Sequence, residues 1–454
     1  MSFRRKLVAS VLALSVAAFA IGGAQAQSIT QALTRAYDYA PDLQAALLSA
    51  KVAAENIALA ESGKRPTIGA TLGGSYNWQL QNGAIGDGTS LTTGLSYNQT
   101  IYDNFQTDAQ IESARAGAEA AEYQIRNTEQ NVLLSVVQAY MSVLRDRQLV
   151  ALRQENVNFF QAQLQSARDR LDVGEGTRID VAQAEARLAQ GDATYRASLS
   201  SVEISQATFQ RYVGVAPQNL DSSHNYSRLI PSNLQAAIAE AEVGHPAILM
   251  SKAAIRAAQA GSDAAQAAFG PKASVTGSLG TRWTGPSGGP QDGISGSVGF
   301  QITVPIYAGG AIGAGVRKAN IEQIKSEVTA MSSYDQIREA VISAWAGIQS
   351  ADAQISAANA AVAAGREVLD GVIQERDLGT RTTLDVLNAQ AELTTAREGL
   401  INASTNKVIA TFSLLAATGH LTATDLGLAV EVKSAVRYTQ AVEDVWQELR
   451  TVAE

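Results

Sequence analysis

RDRLDVGEGTRIDVAQAEARL, residues 168–188, is echoed by QERDLGTRTTLDVLNAQAEL, residues 374–393. Each stretch runs through a glycine turn, a threonine and an aspartate into a helical pattern. Gly174 pairs with Gly379, Asp180 with Asp385 and Leu188 with Leu393, always at an offset of 205. The same offset carries Pro41 to Pro246, Pro66 to Pro271, Trp78 to Trp283, Gly94 to Gly299 and Gly214 to Gly419. These residue types fix backbone shape or anchor surfaces, so the chain reads as two copies of one structural unit in series.

The first unit, 27–232, begins with two short helical stretches that Pro41 divides and Pro66 ends. The apolar period then changes from 3.6 to 2. Ile68, Leu72, Tyr76, Trp78 and Leu80 fall on one face, and small polar residues on the other. This alternation predicts strands at about 67–80 and 90–104, joined by a glycine-rich loop over 81–90. Proline-free helical stretches follow at about 105–173 and 179–213. The second unit, 233–426, repeats the order: strands at 272–284 and 293–307, helices at 310–378 and 384–418. Each longer helix spans roughly 100 Å at 1.5 Å per residue, a length that implies coiled-coil packing. The remaining residues, 427–454, form a tail expected to pack as an equatorial belt around the helices.

Residues 1–26 combine Arg4, Arg5 and Lys6, an apolar run and Ala24-Gln25-Ala26, and predict a secretory signal peptide. Its removal takes three positive charges from a chain of net charge -8 and leaves an acidic surface that disfavours nucleic acid. There are no cysteines, so disulfides and thiolate metal sites are excluded, and the three histidines have no partner at ligand spacing. No cofactor is expected. Hydrophobic content is 46%, but much of it is alanine, and no transmembrane helix emerges after residue 26. Strands of this length with a dyad repeat fit a membrane-spanning barrel, with Trp78, Trp283, Tyr102 and Tyr307 near the strand ends as an aromatic belt. Four strands cannot close a wide barrel, and open edges are forbidden in lipid, so several chains must share one. Three chains give twelve strands.

Signal segment, doubled architecture, strand–helix order and the motifs LGTRTTLDVLNA (378–389) and VGEGTRIDVAQA (173–184) together resemble the TolC-type outer-membrane efflux channels. The resemblance covers the chain from Ser28 to about Gly419. It implies a homotrimer in outer-membrane lipid, with a twelve-stranded barrel and a helical periplasmic tunnel. It also implies a periplasmic adaptor and an inner-membrane pump of the proton-driven resistance-nodulation-division type. It places a periplasmic gate at Asp385, Asn388, Arg381, Asp180 and Arg178. Asn388 departs from the aspartate common in the family, which weakens one acidic ring.

The residues themselves carry part of this reading. Asp385 and Asn388 share a helix face, and threefold symmetry would repeat each in a ring. Arg381 stands one turn before Asp385, open to an intrahelical or an intersubunit pair. Asp180 equally suits a helix N-terminus. The tips, with Gly174, Thr177, Gly379, Thr380 and Thr382, are the expected docking points for the adaptor. No nucleophile–base set or phosphate loop points to an enzyme. The functional expectation is an exit duct for drugs and other toxic small molecules. The alternatives are a type I protein-secretion duct, and a periplasmic coiled-coil structural protein without a pore.

Overall fold

A computed structural model describes residues 27–81, 83–221, 229–284, 293–443 and 445. The expected signal peptide, most of the loop after Thr284, and Trp446 lie outside the described residues. Helices α1 (Ile29–Tyr39) and α2 (Pro41–Glu61) lead through a short turn to strands β1 (Thr67–Gln81) and β2 (Ala84–Tyr102). Helices α3 (Gln106–Asp172) and α4 (Arg178–Val213) follow. The second half repeats the series as α5 (Leu234–Gly244), α6 (Pro246–Ala267), β3 (Lys272–Thr284), β4 (Gly293–Thr303), α7 (Ala311–Asp377) and α8 (Thr383–Thr418). A last helix, α9 (Val436–Glu443), lies in the tail.

The four strands form one antiparallel sheet in the order β1-β2-β3-β4, so β1 and β4 are its edges. Two strand bounds correct the sequence reading. The stretch 81–90 is mostly strand: β1 runs to Gln81, β2 starts at Ala84, and Gly83 turns the chain at φ 80°. An Asn-Gly pair is the strongest short hairpin signal, and here it outweighs the glycines that follow. Gly86 and Gly88 are paired with Gln79 and Asn77. At the other end β4 stops at Thr303, opposite Lys272, not at residue 307. Pro271 and Pro305 lack the N–H that a further rung needs, so Tyr307 lies beyond the strand.

The helices make a second layer in the same order. α3 packs against α2 beside the sheet and against α4 beyond it, and its other flank meets α6 and α8. α7 packs on α6 and α8. The edges of this helical wall are therefore α2/α4 and α7. No helix among the described residues is long and apolar enough to cross a membrane.

The main core gathers where α1 lies across α3 and α4, from Leu33, Tyr37, Leu133, Val137, Tyr140, Phe209 and Phe412. The Tyr140 hydroxyl oxygen is 2.6 and 2.7 Å from the carbonyls of Gln27 and Asp221, and burial pushes its pKa up to about 12. The chain after α8 joins this core through Leu421 and Leu426. It then climbs toward the sheet. The Lys433 ammonium donates to the Tyr37 carbonyl, Tyr438 donates to Glu55, and Arg115 pairs with Glu443.

Candidate functional site: the paired helical tips

Both long helices end the same way. Gly174 and Gly379 adopt φ of 79° and 80°, the left-handed conformation that lets a helix stop and turn. Glu175 N donates to Arg170 O at 2.8 Å and Thr380 N to Glu375 O at 2.9 Å, closing the last turn in each copy. The returning helices start with matching boxes. Thr177 N donates to Asp180 Oδ2 at 3.1 Å, while Asp180 N donates to Thr177 Oγ1 at 3.2 Å. The corresponding distances for Thr382 and Asp385 are 2.9 and 3.2 Å. Each aspartate thus satisfies N–H groups that would otherwise lack partners at a helix start. The hydrogen bonds from Thr382 hold the Asp385 carboxyl below its ordinary pKa, with a smaller contribution from the Arg381 charge.

The two tips stand side by side. Arg170, Glu175, Asp180, Arg376, Arg381 and Thr382 line a cleft of about 300 Å³ between them. Within one chain Arg381 pairs not with Asp385 but with Glu375 of the same tip, its Nε donating to Glu375 Oε2 at 2.7 Å. Asn388 links two helices, since its Oδ1 accepts from Arg187 Nη2 of α4 at 2.7 Å. Arg178 is the exposed first residue of α4.

Above the tips the two hairpins are tied along the α3–α8 seam. Arg153 Nε is 2.7 Å from Glu398, Arg397 is 3.0 Å from Glu155, and Asn156 accepts from Gln390 and Thr394, each at 3.1 Å. Arg376, only 8% exposed, reaches across to Gln163 at 2.6 Å. Sequence reasoning passed over Arg376, Glu375 and Arg187. A signal existed: at the repeat offset Arg376 corresponds to Leu171 and Arg187 to Glu392, so charge differs between the copies where the hairpins touch. Among the described residues no group of His, Cys, Asp and Glu side chains could hold a metal ion.

Comparison with known proteins places this geometry. The profile described as "Outer membrane efflux protein" matches residues 29–215 and 237–420, once for each repeat. The chain is 37% identical to the outer membrane efflux protein BepC of Brucella suis biovar 1 (strain 1330), over 98% of this chain and 97% of that one. It is 26% identical to the outer membrane protein TolC of Escherichia coli (strain K12), over 93% and 88% of the two chains. The crystal structure of the Campylobacter jejuni CmeC outer membrane channel superposes with a TM-score of 0.78 at 17% identity, covering 92% of this chain and 89% of that one. The open four-stranded sheet and the helical wall are one chain's share of that fold, a barrel completed by trimerisation and continued by a helical tunnel. The chain belongs to the outer membrane efflux protein family, as an outer-membrane channel with a large periplasmic portion.

Proposed function

We propose that the protein is the exit duct of a tripartite efflux system. Three chains form one channel, a periplasmic adaptor docks on the helical tips, and an inner-membrane pump of the resistance-nodulation-division type drives drugs and other toxic small molecules through it. The observation that carries this reading is the 37% identity, across nearly the full length of both chains, to a protein whose name describes efflux. The trimer is supported by the coincidence of edges: β1 and β4 flank the sheet just as α2/α4 and α7 flank the helical wall. A single rotation then closes both layers.

The gate in this proposal is the ring of three Asp385 side chains, with Arg381, Asp180, Arg178 and Asn388 around it. The Asp385 carboxylate is fixed by Thr382 and stays charged, so three of them in a narrow ring repel one another and attract cations. Asn388 adds no charge, and its bond to Arg187 holds the two hairpins of one chain together at this level. The tips around Gly174, Thr177, Gly379, Thr380 and Thr382 receive the adaptor.

The test is single-channel conductance of the purified oligomer in planar bilayers, beside Asp385→Ala. A small resting conductance, rising in the variant together with weaker divalent-cation block, is the expected result. Unchanged conductance and cation response would remove Asp385 from the gate. Separately, a deletion strain should accumulate dyes and drugs, and should lose no secreted protein. The opposite pattern would make the duct a protein-secretion channel.

A further inference from the structure

One face of the sheet is lined by hydroxyls and glycines, with two cations and no acid among the described residues. The register sets this face: Thr67, Thr71, Ser75, Ser90, Thr92, Ser96, Ser278 and Ser297 all lie on it. Contacts agree. The hydroxyls of Ser75 and Ser90 are 2.8 Å apart, as are those of Ser278 and Ser297. The opposite face carries Ile68, Leu72, Trp78, Leu95, Leu279, Val298 and Phe300, all exposed in the single chain. In a barrel that apolar face meets lipid and the hydroxyl face meets the lumen.

Lys272 and Arg282 are the only charged residues on the hydroxyl face among the described residues. The acid in β2, Asp87, sits on the other face and accepts from the Tyr76 hydroxyl at 3.0 Å. Arg282 occupies a row made of Gly73, Thr92, Arg282 and Gly293. Its neighbours are a threonine and a glycine beside which even a Cβ would meet nothing within 4 Å. The guanidinium therefore stands over nearly bare backbone, toward the hairpin end of the sheet. Lys272 stands at the helical end, roughly 34 Å away along the strand. With barrel tilt this leaves roughly 25 Å along the axis. That is well beyond the ~8 Å screening length at physiological salt, so the two positions act separately.

We propose that the outward mouth of the barrel is an anion-binding collar, formed by Arg282 from each chain, that takes small multivalent anions such as phosphorylated solutes. The proposal rests on the trimeric-barrel reading. A ring of guanidiniums facing an otherwise neutral wall concentrates anions at the exit, and its planar forks suit phosphate oxygens. The acidic charge of the chain lies elsewhere, mostly on the helices. The duct is thus polarised, acidic at the gate and basic at the mouth.

The test uses the purified full-length protein in planar bilayers, with inositol hexakisphosphate added on the hairpin side. The expected result is voltage-dependent block. Its half-blocking concentration should rise about tenfold in Arg282→Gln, or ~1.4 kcal/mol, change little in Arg282→Lys, and stay put in Lys272→Gln. Equal block in the wild type and Arg282→Gln overturns the collar, as does block that depends on Lys272 instead. The chain has no cysteines, so Arg282→Cys and Leu279→Cys report orientation through a membrane-impermeant thiol reagent. Labelling of residue 282 but not 279 places Arg282 in the lumen. If an intact trimer labels at 279 and not 282, the barrel reading itself fails. Labelling at 282 with unchanged block defeats the collar alone.

Discussion

His245 shows how one side chain can tune stability with pH. It is 5% exposed and caps α6, accepting from Ala247 N through Nδ1 at 3.1 Å. Burial lowers its pKa from 6.5 to about 4, partly offset by a hydrogen bond to the Ala416 carbonyl. The unfolded chain therefore binds a proton near pH 6.5 that the folded chain refuses until about pH 4. The contribution is complete above the unfolded value and drains away as pH falls toward the folded one, by up to ~3 kcal/mol per chain. His245→Asn keeps a capping oxygen without the titration. Denaturation midpoints measured across that window should depend less on pH in the variant, and an identical pH dependence would rule His245 out. None of this was legible in the sequence, where His245 was a histidine without a ligand partner. Its burial comes from packing between α5, α6 and α8, which sequence spacing does not encode. Asp180 and Asp385 were legible, because a threonine three residues before an acid writes its own capping box.

At the scale of elements, the helices were read almost to their ends, since glycine, threonine and the absence of proline announce a long helix and its turn. The strands were read less well. Gly83, Gly86 and Gly88, scattered through 81–90, resemble a loop, and only the pairing with β1 shows otherwise. That pairing makes this stretch costly to delete. Removing residues 84–89 would leave Gln81, Leu80, Gln79, Trp78, Asn77 and Tyr76 without their rungs, and unpaired backbone is costly at a membrane. Such a deletion should abolish the trimer on native gels. A variant that still assembles would show that these rungs lie clear of the bilayer and carry little. The tie between Arg187 and Asn388 is the other element-scale surprise. It depends on two helices from different repeats meeting, and no offset within the sequence pairs those positions.

For the whole molecule, the repeat decides most of the architecture. It fixed the number of strands per chain and the need for partners, before any distance was known. What it hides is where the copies differ. The strand-to-helix bend needs two consecutive left-handed residues in both halves. The second copy uses Gly309 and Gly310, at φ 60° and 84°, whereas the first uses Asn104 and Phe105, at φ 58° and 64°. Left-handed backbone costs a residue with a side chain roughly 1–2 kcal/mol. Contacts hold the first bend: Asn104 Nδ2 donates to the Ala267 carbonyl at 3.1 Å, and the Phe105 ring meets Tyr102 edge-on at 5.9 Å. The glycines need no such support and have none, since a Cβ at either would meet nothing within 4 Å.

By that asymmetry the first joint is restrained by side chains and the second only by its backbone, which glycine leaves freer to turn. α7 runs roughly 100 Å from that second joint, packed on α6 and α8, so a tilt of only ~5° of this packed arm carries its far end by ~9 Å. Putting Asn and Phe at 309 and 310 should narrow the distance distribution between spin labels on Thr380→Cys chains in the trimer, and an unchanged width would deny the joint any part in the motion. The pivot, at the foot of the barrel, is so far from the tip that a small force there would suffice to turn it, as on a long-handled tap.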